Sequence, residues 1–134
     1  MNMNREVVIY TDGSSLPNPG RGGWGYIAVF NDYDIYCNGY EKHTTNNIME
    51  MTAVIEAVKD FKDFNNIHIY SDSKYVINCA QGLWKRKKNT ELWKQYDYYT
   101  KGKNIRFTWV KGHNGDHYNE LVDKLSTEYK KIFK

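Results

Sequence analysis

Residues 66–73 read NIHIYSDS, and residues 6–14 read EVVIYTDGS. In each, a short run rich in β-branched and aromatic residues predicts a buried strand. In each, an aspartate stands where that run gives out: Asp12 after the first and Asp72 after the second. Taken alone, Asp12 before Gly13 reads as a turn, and Asp72 between two serines ahead of a helix reads as an N-cap. The other reading is that two strand ends deliver carboxylates to one place.

Working outward from these runs, 6–11, 23–30 and 34–40 read as three antiparallel strands, the last two joined by a turn at Asn31-Asp32. A helix is predicted over 47–62. Its polar residues Thr52, Glu56, Lys59, Asp60 and Asp63 recur on one side at helical spacing, with Ile48, Met51, Val54, Ile55, Val58 and Phe61 away from it. A strand over 67–71, helices over 74–80 and 91–99, a strand over 105–110 and one last helix over 117–133 complete the chain. The order βββαβααβα predicts an α/β domain with a mixed sheet flanked by helices.

At 134 residues, 40% hydrophobic and 26% charged, the chain reads as one domain, 1–134. A net charge of +3 permits a polyanionic partner without requiring one. Cys37 and Cys79 form neither a disulfide framework nor a zinc pattern. No apolar run approaches membrane-spanning length, and no basic leader followed by an apolar stretch is read at the start. The expectation is a cytoplasmic monomer with reduced thiols and no membrane association.

Glu50 is harder to read as ordinary than the two aspartates. At about 100° per residue it lies roughly 160° from Thr52, on the apolar side of its helix with Val54 and Ala57. A lone carboxylate facing a core costs several kcal/mol or takes up a proton, so it calls for a cation: a Lys or Arg, or a metal ion shared with other acids. Asp123, in the first turns of the last helix, is where acids already favour the helix dipole.

Four segments now stand in order: Asp12 followed by SSLPNPGRGGWG, TTNNIM leading to Glu50, Asp72 within YSDSKYV, and WVKGHNGDHYNELVD carrying Asp123. Together they resemble ribonuclease H of type 1, over nearly the whole chain. The resemblance implies a five-stranded mixed sheet with its first and fourth strands adjacent. It also implies a metal site of Asp12, Glu50, Asp72 and Asp123. Bare carboxylates about 4 Å apart repel by roughly 4 kcal/mol per pair at an effective dielectric near 20, so such a cluster expects cations. An all-oxygen ligand set favours Mg2+ or Mn2+ over zinc, and two such ions would support in-line hydrolysis of the RNA strand of an RNA–DNA hybrid, leaving 5′-phosphate and 3′-hydroxyl ends. The same resemblance implies that His113 aids proton transfer or product release, with Asp12, Glu50, Asp72 and Asp123 as the other catalytic residues. It implies Asn18, Asn46 and Asn47 as contacts to the minor groove or ribose 2′-OH, and Thr45 as part of a DNA-phosphate pocket. Thr45 or Asn46 also reads as a helix cap.

Two departures from the family pattern bear on substrate binding. Lys74 stands where many relatives carry a glutamine that reaches the minor groove, which makes a phosphate contact the expectation there. Many members also insert a basic helical protrusion, whereas here only KRKKNTEL lies between Trp84 and Trp93. Lys85, Arg86, Lys87 and Lys88, beside Trp84, are expected to keep part of its phosphate-binding charge, a solvated loop being the plainer reading. The competing functions are a hybrid-binding module without catalysis, another nuclease of the same superfamily, and a structural domain whose acids pair with lysines.

Overall fold

The structure is a computed structural model that describes residues 5–111 and 116–133. In chain order the elements are β1 (Glu6–Ser15), β2 (Gly20–Val29), β3 (Asp34–Thr44), α1 (Asn46–Asp60), β4 (Asn66–Ser71), α2 (Lys74–Ala80), α3 (Thr90–Thr100), β5 (Asn104–Trp109), α4 (His117–Ser126) and α5 (Tyr129–Ile132). The strands form one mixed sheet of five in the order β3-β2-β1-β4-β5.

β1 lies at the centre and is paired differently on its two sides. Its antiparallel ladder with β2 runs from Val8↔Val29 to Ser15↔Gly22, whereas its parallel ladder with β4 stops at Tyr10↔Tyr70. One residue further on, Thr11 Oγ1 donates to the Tyr70 carbonyl at 3.3 Å, and beyond that bond the two strands part. Asp12 sits at the opening of this cleft, and Asp72 follows the last residue of β4.

On one face, Val7 and Ile9 of β1 with Ile67 and Ile69 of β4 pack against Met51, Val54, Ala57 and Val58 of α1. Val76 of α2 and Trp93 and Tyr96 of α3 close the same core. Each fully buried aliphatic side chain is worth about 1.5–3 kcal/mol, so this layer holds α1 firmly against the sheet. The other face carries α4, which lies across β1 and β2. There Tyr10 stacks between Tyr70 and Tyr118, with ring centroids 4.6 and 5.2 Å apart. Among the described residues, no helix is long and apolar enough to cross a membrane.

Two expectations are corrected. β1 does not end at Thr11: it runs to Ser15, so Asp12-Gly13 is a strand segment rather than a turn. Gly13 is needed for a different reason, because a Cβ there would overlap the backbone of Met49 and Glu50, where α1 crosses β1. The last helix is not continuous either, and the order is βββαβααβαα. Ser126 and Thr127 hydroxyls donate to the Asp123 carbonyl, each at 2.9 Å. Such back-bonding competes with the helical ladder, and the chain turns before α5.

Candidate active site

Three elements bring three carboxylates together. Asp12 comes from β1, Asp72 from the residue after β4, and Glu50 from the second turn of α1. One oxygen from each lies within 4.8 Å of the others. The close crossing at Gly13 makes this possible, since it sets the backbone of Glu50 directly over the residue next to Asp12. α1 begins with Thr45, whose Oγ1 accepts from Ile48 N–H at 3.1 Å, as the cap reading predicts.

Among the described residues, the cluster is short of positive partners. Asp12 is 5% exposed; its Oδ1 accepts the Gly13 N–H at 2.9 Å, and among the described residues its Oδ2 has the Ser126 hydroxyl alone, at 3.5 Å. Glu50 Oε1 is sealed from solvent and has no hydrogen-bond partner among the described residues. Among the described residues, no Lys, Arg or His forms an ion pair with any of the three. Burial, followed by the charges of Asp72 and Asp123, pushes the Asp12 carboxyl up to about 8. Burial, followed by Asp12 and Asp72, pushes Glu50 well above the usual carboxylate range. Asp123, on α4, stands outside the closest group of three but near enough for its charge to act on Asp12.

These features fit a hard divalent cation. An orphaned, enclosed carboxylate oxygen beside two further carboxylates, with oxygen donors throughout, is a donor set suited to Mg2+ or Mn2+. A Lys or Arg partner for Glu50, the other possibility open in the sequence, is not present among the described residues.

The expected binding residues divide into groups. Asn46 N–H donates to Asn18 Oδ1 at 3.1 Å, and Asn46 Oδ1 accepts from Ser15 N–H, which ties the 16–19 loop to the start of α1. Asn18, Thr45, Asn46 and Asn47 share a surface cleft of about 360 Å³ with Pro19, Lys88 and Asn89. Asn89 carries no local signal of such a role. It caps α3 in the left-handed conformation at φ 60° and donates to the Tyr75 hydroxyl at 3.1 Å, and only the fold carries it to the Asn18 side. Trp84, Lys85, Lys87 and Lys88 are at the surface. Lys74 is exposed, with its ammonium 4.7 Å from the centre of the Trp109 ring. His113 lies outside the described residues.

Arg86 corrects an expectation. Rather than facing a phosphate, its guanidinium donates to both oxygens of Asp97 at 2.8 and 2.9 Å, to the Cys79 carbonyl at 3.0 Å and to the Ala80 carbonyl at 3.4 Å. It also lies 4.5 Å from the Trp93 ring centre. The side chain caps the C-terminus of α2 and fastens it to α3, so its charge is already spent.

Comparison with known proteins agrees with this geometry. The RNase H family model matches residues 4–131. Ribonuclease H of Wolbachia pipientis wMel is 47% identical over 137 residues, covering 91% of this chain and 93% of that one. Ribonuclease H of Acetivibrio thermocellus is 39% identical, over 92% and 94%. Among solved structures, RNase H1 of Halobacterium salinarum matches with a TM-score of 0.80 at 26% identity, over 96% of this chain and 99% of that one. LC11-RNase H1, solved in complex with an RNA/DNA hybrid, matches at 0.77 and 25%, over 94% and 99%. With a family match across nearly its whole length and an acidic centre at the parting of β1 and β4, the chain belongs to the ribonuclease H family.

Proposed function

We infer that this chain is an endoribonuclease that hydrolyses the RNA strand of RNA–DNA hybrids. The observation that carries the reading is the group of three carboxylates within 4.8 Å, one of them with a sealed and unpartnered oxygen, in a chain of this family. Asp12, Glu50, Asp72 and Asp123 would hold two Mg2+ or Mn2+ ions. When bound, such ions activate water and neutralise the leaving 3′ oxygen of a phosphodiester, so that 5′-phosphate and 3′-hydroxyl ends result.

The chain's own side chains supply position and selectivity. The rigid crossing of α1 over β1 keeps Glu50 from relaxing away from Asp12 despite their repulsion. Asn18, Asn46 and Asn47 form a polar surface suited to sensing a ribose 2′-OH, the group that separates RNA from DNA. Asn46 is exposed and its Oδ1 is engaged by Ser15, which leaves its amide NH2 to donate to a ligand. Thr45, with its hydroxyl committed to the helix cap, offers the start of α1 to a DNA-strand phosphate. His113 assists proton transfer or product release in this reading. The protein is taken to act as a cytoplasmic monomer.

The test is incubation of the purified chain with end-labelled hybrid, duplex DNA, duplex RNA and single-stranded RNA, with Mg2+, Mn2+ or EDTA. Cutting confined to the RNA of the hybrid and stopped by EDTA is the expected result. Equal cutting of duplex DNA would overturn the assignment, and binding of hybrid without cutting in either metal would make the chain a binding module.

A further inference from the structure

The last turn of α4 meets β1 at the acidic centre through Ser126, whose hydroxyl is shared by two acids from different elements. Its Oγ donates to the Asp123 carbonyl at 2.9 Å, within its own helix, and stands 3.5 Å from Asp12 Oδ2 on the strand. The side chain is 1% exposed, so bulk water does not compete for it. A serine hydroxyl has one proton and here faces two acceptors. It can turn that proton from the carbonyl to the carboxylate without any movement of the helix.

Seating α4 does not require this hydroxyl. The turn is located through its main chain by two strands: Asn38 Nδ2 of β3 donates to the Leu125 carbonyl at 3.1 Å, and a Cβ at Gly23 of β2 would overlap the Ser126 carbonyl. Thr127 Oγ1 supplies a second bond to the same Asp123 carbonyl, also at 2.9 Å. An alanine at position 126 would keep all three features, favour the helix and bury no hydroxyl. What the serine adds that its surroundings do not is the contact to Asp12.

Asp12 is thereby approached from two sides. Its Oδ1 accepts the Gly13 N–H at 2.9 Å from the strand, and its Oδ2 faces the helix hydroxyl. Donors on both oxygens fix the plane of a carboxylate and still leave a lone pair on each oxygen for a cation. At 3.5 Å the second contact is long. Polar contacts of this kind tighten when a site takes up its ligand. We propose that Ser126 is a positioning residue, whose hydroxyl orients the Asp12 carboxylate toward the cation site and ties it to the backbone of Asp123. This role rests on the metal site of the function proposed above.

The test compares Ser126→Ala with Thr127→Ala, because both lose a bond to the Asp123 carbonyl and only the first loses the contact to Asp12. Mn2+ binding to the protein without hybrid is read from the EPR signal of unbound Mn2+, and urea unfolding is recorded for each variant. Ser126→Ala should bind its first Mn2+ roughly 3- to 10-fold more weakly than wild type, and Thr127→Ala should bind as wild type does. In cleavage assays the Mg2+ concentration for half-maximal rate should rise by a similar factor in Ser126→Ala, with hybrid affinity in EDTA unchanged. An equal loss of Mn2+ affinity in both variants would overturn the proposal by tracing the effect to α4 rather than to Asp12. A wild type that binds no Mn2+ would remove the metal site itself, whereas three matching affinities would remove only the role of Ser126.

Discussion

The molecule contains two charged regions built on opposite terms. Around Asp12, Glu50 and Asp72, negative charge is gathered, partly buried and, among the described residues, left without a cationic side chain. Around Arg86, positive charge is gathered and satisfied from every side by a carboxylate, two carbonyls and an aromatic ring. Folding alone would select the second arrangement, because desolvated charge without a partner destabilises a protein. The first persists because something outside the chain completes it. Unspent charge marks a site, and spent charge marks a fastening. The same contrast separates Lys74, exposed and without a carboxylate partner among the described residues, from Arg86, about three helical turns of sequence further on.

The largest effect that would break this contrast lies in the acids. Asp12→Asn or Asp72→Asn should lower single-turnover cleavage by at least about 10³-fold while hybrid affinity, read by fluorescence anisotropy in EDTA, stays near wild type. Retained turnover in both variants would return the cluster to a structural role.

A second effect is on stability against pH without metal. The Asp12 carboxyl is raised from 3.8 to about 8, so the folded state holds its proton more tightly than the unfolded chain does. The stability associated with that proton is complete below the unfolded value and is lost as pH rises through the folded one. Between about pH 4 and pH 8, the melting temperature of the metal-free protein should therefore fall relative to that of Asp12→Asn. Saturating Mg2+ should remove the difference at the alkaline end. Parallel curves for the two proteins in EDTA would show that the repulsion is not felt.

Arg86 should behave in the reverse manner. Arg86→Ala should cost about 1–3 kcal/mol in urea unfolding, through the packing and capping it removes and through the partly exposed Asp97 pair, discounted for solvent screening. Cleavage should remain unchanged wherever the variant is folded. The smallest effect is expected from Lys85, Lys87 and Lys88, which lie at the surface. Their joint replacement by serine should flatten the salt dependence of binding by up to about 0.9 for each phosphate no longer neutralised, and leave the preference for RNA unchanged. An unaltered slope would make them solvated loop residues.

Much of this is legible in the residues themselves. The position of Glu50 on an apolar helix face follows from periodicity alone, and nearly every element lies within a few residues of its predicted place. What stays hidden is whatever depends on a partner distant in sequence. Gly13 beside Asp12 looks like a turn until α1 is seen to cross it, for the same glycine serves a bend and a close approach equally well. Arg86 looks like one cation in a run of four until Asp97 and Trp93 are brought to it by α3. Asn89 stands in the loop ahead of a predicted helix, and nothing local marks the cleft it lines. The break between α4 and α5 depends on where two hydroxyls turn, which helical spacing does not encode.

The crossing at Gly13 also bears on which changes the protein can absorb. In an ordinary core, one added methyl group is accommodated by small shifts of helix against sheet, at a cost of about 1–3 kcal/mol. Here the same shift would carry Glu50 away from Asp12 and Asp72, whose donor atoms must stay within a span of 4.8 Å. A Gly13→Ala chain could thus remain folded and lose its chemistry. Tolerance to substitution in this protein therefore does not follow burial: the narrowest position is one with no side chain, kept empty so that the backbone bearing an acid can pass.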